Sequence, residues 1–235
     1  MTPPFQLVLL PGLGADHRLL EPQRQEFPQL LVPPWITPRK DEPLPDYAAR
    51  LAETIRPSHK LPLIVGGVSF GGMVAYEMAR HLQPDATVLI ASCHSRQGLR
   101  PLHRAGRWLL PLVPVAAWDL AKLVSGPVVR MRISASRERQ DLAIRMFKEM
   151  DSRFMHWVLQ AILRWHPSPP NGTRVWHIHG RRDPLIPVRR VEADEVIADG
   201  GHMINVTHAQ QVNAFIGRVY DQTRHCCSVG PVTAQ

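Results

Sequence analysis

The sequence predicts an α/β fold: a doubly wound, mostly parallel sheet of about six strands, with a helical cap inserted in the middle of the chain. Three observations predict it. Short apolar runs recur and end in turns, which suits strands buried on both faces of a parallel sheet. Helical patterns with short loops alternate with these runs, as crossovers between parallel strands require. From about His94 to Pro170 the alternation stops, and the pattern becomes helical, with many Arg and Trp residues and no convincing strand.

The chain opens with Phe5-Gln6-Leu7-Val8-Leu9-Leu10, a nearly unbroken apolar run ended by Pro11-Gly12-Leu13-Gly14. Asp16 is placed to cap a short helix through about Phe27, and Leu30 to Val32 supplies a second strand. Asp46 opens a helix to about Ile55. A third strand, Leu61 to Val68, runs through Ser69-Phe70-Gly71-Gly72 into a helix carrying Met73 to Ala79, and Thr87 to Ala91 follows as the fourth. Strand character returns at Arg174 to His179 and at Glu195 to Ala198. The final helix, from about Asn205 to Tyr220, sets Ala209, Val212, Phe215, Ile216 and Val219 on one face. Residues after about Thr223 read as a disordered tail. Residues 1–93 and 171–235 thus make the core and 94–170 the cap.

Composition narrows the function classes. Hydrophobic residues make up 44% and charged residues 20% of 235, as in one globular domain carrying an insertion. The apolar run from Trp108 to Trp118 contains Pro111 and Pro114 and falls well short of the roughly 20 residues a membrane span needs. The N-terminus lacks the pattern of a signal peptide, and Cys93, Cys226 and Cys227 form neither a disulfide framework nor a zinc spacing, so a cytoplasmic location is expected. The net charge of +8 arises almost wholly between Arg96 and Arg153, where ten Arg and two Lys face five acids. No nucleic-acid-binding signature accompanies that excess, and no nucleic-acid partner is expected.

In a sheet of this type ligands bind beyond the carboxyl ends of the strands, so reactive residues should follow strands directly. Gly67-Val68-Ser69-Phe70-Gly71 does so, between an apolar strand and an apolar helix, which is the context a nucleophile elbow requires. A serine hydroxyl is a weak nucleophile near neutral pH and needs a base, which in turn needs an orienting acid. Asp183 lies in the loop after one strand, and His202 follows the last strand and precedes the last helix. Only nineteen positions separate them, too few for an ordinary crossover helix, so a single helical turn is expected between the two strands. Asp199 is the rival acid.

By Gly67 to Gly71, by the G-x-x-D-x-x-x-P pattern at 180–187 and by Gly201-His202 before a helix, the chain resembles the α/β-hydrolase superfamily. The resemblance covers about residues 5–93 and 172–222. It implies a Ser69–His202–Asp183 triad, an oxyanion hole made by the backbone N–H groups of Leu13 and Phe70, and no cofactor. The family often has His-Gly where this chain has Pro11-Gly12. The activity implied is hydrolysis of a carboxylic ester or thioester of a small molecule through an acyl-serine. Acyl transfer or lysis on the same triad, a noncatalytic ligand receptor or scaffold, and a polyanion binder using the basic cap are the rivals.

Several further residues are candidates for the pocket. His17 lies near the oxyanion loop, Cys93 and His94 end a strand near the site, and Trp108 and Trp157, with Trp118 and Phe154, could line the cap; each also has a packing or surface role open to it. His177 and His179 project to one side of a strand. Two histidines without further ligands are packing or hydrogen-bonding residues before they are a metal site, and no metal is expected.

Overall fold

Six strands form one all-parallel sheet: Gln6–Leu10 (β1), Leu30–Leu31 (β2), Leu63–Val68 (β3), Ala86–Ile90 (β4), Val175–Gly180 (β5) and Glu195–Ile197 (β6). Their order across the sheet is β2-β1-β3-β4-β5-β6. The computed structural model describes residues 5–58, 61–99, 113–123, 126 and 136–228. Helices Glu21–Glu26 (α1), Leu44–Glu53 (α2) and Phe70–Leu82 (α3) connect the early strands, and Ile204–Thr207 (α7) and Ala209–Ser228 (α8) close the chain.

Side chains alternate along each strand, and the core splits accordingly into two layers. Leu7 and Leu9 of β1 join Ile64, Val88 and Ile178 under Leu20, Val212, Phe215 and Ile216. Val8 and Leu10, pointing the other way, join Val65 under Tyr47, Leu51, Val74 and Met78 of α2 and α3. Burial on both faces explains why β1 reads as an apolar run.

Between β4 and β5 the described residues hold helices Val115–Leu123 (α4), Arg137–Glu149 (α5) and Ser152–Arg164 (α6) and no strand. Ala143 and Met146 of α5 pack into the first layer, whereas Phe154, Trp157, Val158 and Ala161 of α6 pack into the second. The segment between β4 and β5 therefore touches both layers. Arg18 ties it to the loop after β1 by ion pairs to Asp16 and Glu149, and Arg139 donates to the Val206 carbonyl at 2.9 Å. Trp108 lies outside the described residues.

Two boundaries differ from expectation. Helix α2 starts two residues early because Pro45 sits in its first turn, where a missing N–H removes no hydrogen bond. The final helix breaks at His208 and then runs to Ser228, past the Thr223 at which a disordered tail was expected to begin. The sequence there, Asp221 to Ser228, has no apolar period, so periodicity gave no sign of it.

Candidate active site

The order of strands reverses between β1 and β3, and Ser69 stands at the carboxyl end of β3 beside that switch point. Its φ of 53° and ψ of −120° are unfavourable for a residue with a side chain, at a cost of about 1–3 kcal/mol. The surroundings hold it there. Ser69 N–H donates to Ile90 O at 3.0 Å, and Ser69 O accepts from Gly72 N–H, Met73 N–H and, at 2.6 Å, from the Ser92 hydroxyl. A Cβ on Gly67 would lie 2.4 Å from the Gly71 carbonyl carbon, and one on Gly71 would lie 2.3 Å from both the Leu10 and Pro11 carbonyl oxygens. Only glycine lets the elbow close so tightly against the end of β1.

The same contact brings the loop after β1 to the serine. The Gly12 backbone sits against Ser69, with space for a Cβ only 3.4 Å from that of the serine. Among the described residues, the backbone N–H groups of Leu13 and Phe70 have no acceptor in the protein.

On the other side, β5 and β6 end level with each other, Gly180 opposite Ile197, so the loops carrying Asp183 and His202 start together. A single 3-10 turn, Val188–Arg190, makes the crossover, as the short spacing required. The loops are joined by Arg181 N–H to Ile197 O at 2.9 Å and Arg182 N–H to Gly200 O at 2.8 Å. Gly180 permits their approach, since a Cβ there would lie 2.2 Å from Gly201 O.

His202 Nδ1 lies 2.7 Å from Asp183 Oδ2, and His202 Nε2 lies 2.9 Å from Ser69 Oγ. The carboxylate can only accept, which places the proton on Nδ1 and leaves Nε2 to accept from the serine hydroxyl. The second Asp183 oxygen accepts from the backbone N–H groups of Leu185 at 2.8 Å and Ile186 at 2.9 Å. Burial alone would raise the Asp183 pKa, but hydrogen bonds from His179, His202 and the Ile186 amide outweigh it and hold the carboxyl well below its usual range. Asp199, the rival acid, pairs with His208 at 3.2 Å on the surface.

The other candidates are placed elsewhere. His17 is exposed in the turn after Asp16. Cys93 is fully buried, and burial pushes its thiol up to about 12, where it is no nucleophile. His94 lies tilted against Tyr76, with ring centroids 5.7 Å apart. Trp157 lies tilted against Tyr47 at 4.3 Å, donates to Glu42 O at 2.9 Å, and lines a separate cavity of about 330 Å³ with Glu42, Leu44 and Trp165. No cluster of three or more His, Cys, Asp or Glu suited to a metal occurs among the described residues, and no helix among them is long and apolar enough to cross a membrane.

Sequence reasoning missed Ser92, whose hydroxyl braces the Ser69 carbonyl, and, apart from Phe154, the lining of a cavity of about 640 Å³ between the loops after β1 and β2 and helices α5 and α6. Trp35, Ile36, Met146, Met150 and Phe154 supply its apolar wall, and Asp16, Glu149 and Arg153 lie at its polar side. No spacing signal links these segments.

Comparison with solved structures returns the same architecture. A malate-bound thermophilic esterase from Thermogutta terrifontis is 14% identical, with 94% of this chain matching 90% of that one at a TM-score of 0.68. A hydrolase from Oleispira antarctica gives 14% identity, coverage of 93% and 91%, and a TM-score of 0.68. MenH from S. aureus gives 17% identity, coverage of 94% and 94%, and a TM-score of 0.66. No curated protein matches the sequence. At these identities the structural likeness speaks for the fold alone, but the model of the alpha/beta hydrolase family matches residues 7–215 of the sequence itself. Sheet order, elbow and sequence match agree, and the chain belongs to the alpha/beta hydrolase family.

Proposed function

We propose that this hydrolase cleaves a carboxylic ester or thioester of a small molecule, with Ser69 as nucleophile, His202 as general base and Asp183 as the orienting acid. The observation that carries the reading is one imidazole bridging Ser69 Oγ at 2.9 Å and a buried carboxylate at 2.7 Å. Ser69 Oγ attacks the acyl carbon as its proton passes to His202 Nε2. The oxyanion is held by the Leu13 and Phe70 N–H groups. His202 then protonates the leaving alcohol or thiol, and the acyl-serine remains. Water, deprotonated by His202, attacks that ester, and the acid leaves as the proton returns to Ser69.

In this reading residues 94–170 form the cap, and the cavity walled by Trp35, Met146, Met150 and Phe154 receives the acyl chain. The test is labelling with a fluorophosphonate followed by peptide mapping, together with rates on matched esters and thioesters of increasing chain length. Labelling at Ser69 alone and measurable turnover are expected; labelling at another serine would remove the nucleophile from this account. Replacing the cap by a short linker should alter the preference for chain length while Ser69 stays reactive.

A further inference from the structure

Beside Asp183, two buried histidines form a chain of hydrogen bonds whose protons can be counted, and the chain ends on the same carboxylate oxygen, Oδ2, that His202 contacts. His177 is 1% exposed and His179 is 0% exposed. His177 Nδ1 lies 2.9 Å from the Glu192 carbonyl oxygen. His179 Nε2 lies 2.8 Å from the Ile186 carbonyl oxygen and 3.3 Å from Asp183 Oδ2. These oxygens can only accept, so both of these nitrogens carry protons. The remaining nitrogens, His177 Nε2 and His179 Nδ1, face each other at 3.0 Å. A neutral imidazole has one N–H. Two neutral rings with the protons so placed would press lone pair against lone pair, out of reach of water.

We propose that the pair holds one proton more than two neutral rings, so that a buried positive charge stands beside Asp183 and sets the pH at which His202 becomes free to act as base. The extra proton lies between the facing nitrogens and belongs to His179, the ring nearer the carboxylate. His177 is its acceptor: burial and the neighbouring His179 push its pKa down to about 3. The charge is buried but not uncompensated, because Asp183 is ionised beside it, and the two make a buried ion pair. The other groups facing the pair are few. Asp194 accepts the His177 backbone N–H at 2.7 Å, and His94 approaches from the segment after β4. His202 and His179 both contact Asp183 Oδ2, at 2.7 Å and 3.3 Å.

This assignment rests on the triad reading for its catalytic consequence. A carboxylate oxygen shared with a second cation attracts less charge onto His202, so the base is free at lower pH. His179 is thus a positioning residue that acts through Asp183. Its own charge state, however, is measurable without catalysis.

Nitrogen NMR of histidine-labelled protein at about pH 8, where exposed imidazoles are neutral, should show one ring with both nitrogens protonated, and His179→Gln should remove that signal. The glutamine amide can still donate to Ile186 but carries no charge, so the rise of activity with pH should move up by roughly one unit. Two neutral rings in the wild-type protein overturn the proposal, whether or not the variant folds; an unmoved rise in a folded His179→Gln protein also overturns it. Fluorophosphonate labelling of the same samples separates the two readings. An unlabelled Ser69 would remove the hydrolase mechanism, while the NMR result would still decide the charge of the pair.

Discussion

The two halves of the candidate site are built by different physics. The Ser69 corner is steric: backbone bonds and absent side chains at Gly67 and Gly71 force one strained conformation, and among the described residues the one side chain bonded to its backbone is that of Ser92. The Asp183 and His202 corner is electrostatic: a buried carboxylate is held by two amides and two imidazoles, across loops that meet only in the folded sheet. The first corner should therefore fail by losing its shape, and the second by losing charge with its shape intact.

Gly71→Ala is expected to break the first corner outright, since its Cβ would stand 2.3 Å from two carbonyl oxygens that belong to β1 and its loop. Little folded protein should be recovered, as judged by circular dichroism of the soluble fraction; a well-folded, active Gly71→Ala protein would show that the elbow is not sterically fixed. Ser69→Ala leaves the backbone bonds in place and should fold normally while turnover of an activated ester drops by at least about a thousandfold.

Asp183→Asn probes the second corner. The fold should persist, and turnover should fall by about a hundredfold or more because the imidazole loses its orienting charge. Asp199→Asn should be near normal. A reversal of these two outcomes would transfer the acid's role to Asp199.

Smaller effects come from pH. As the proposed base, His202 must be neutral to take the serine proton, so activity should be lost in acid; a flat profile from about pH 5 to 8 would count against a histidine base. Asp183 is held below its unfolded pKa, so its charge stabilises the fold above about pH 4 and that contribution is lost as pH falls further. Urea unfolding should accordingly show a steeper loss of stability in acid for the wild-type protein than for Asp183→Asn.

The contrast between corners also governs what could be read in advance. The elbow is local: strand, turn and helix lie within twenty residues, and the glycines that permit the turn are in the motif itself. Asp183 and His202 were legible because each follows a strand, and the 3-10 turn between β5 and β6 was legible because too few residues remained for anything longer. The far end of α8 was not, since a polar helix end carries no apolar period. Cys93 could have faced a pocket by its position in the chain; its full burial was settled only by the neighbours that folding supplied.

The sequence by itself determined the order of elements, the doubly wound sheet and the three residues that meet in the site, because period and motif are properties of adjacent residues. It could place His177 and His179 on one side of a strand but could not assign their protons. Those depend on the carbonyls of Glu192 and Ile186 and on a carboxylate in another loop, all brought within hydrogen-bonding distance by the turn between β5 and β6. Charge state in a buried site is fixed by what the fold brings within about 3 Å, and only the tertiary structure decides that.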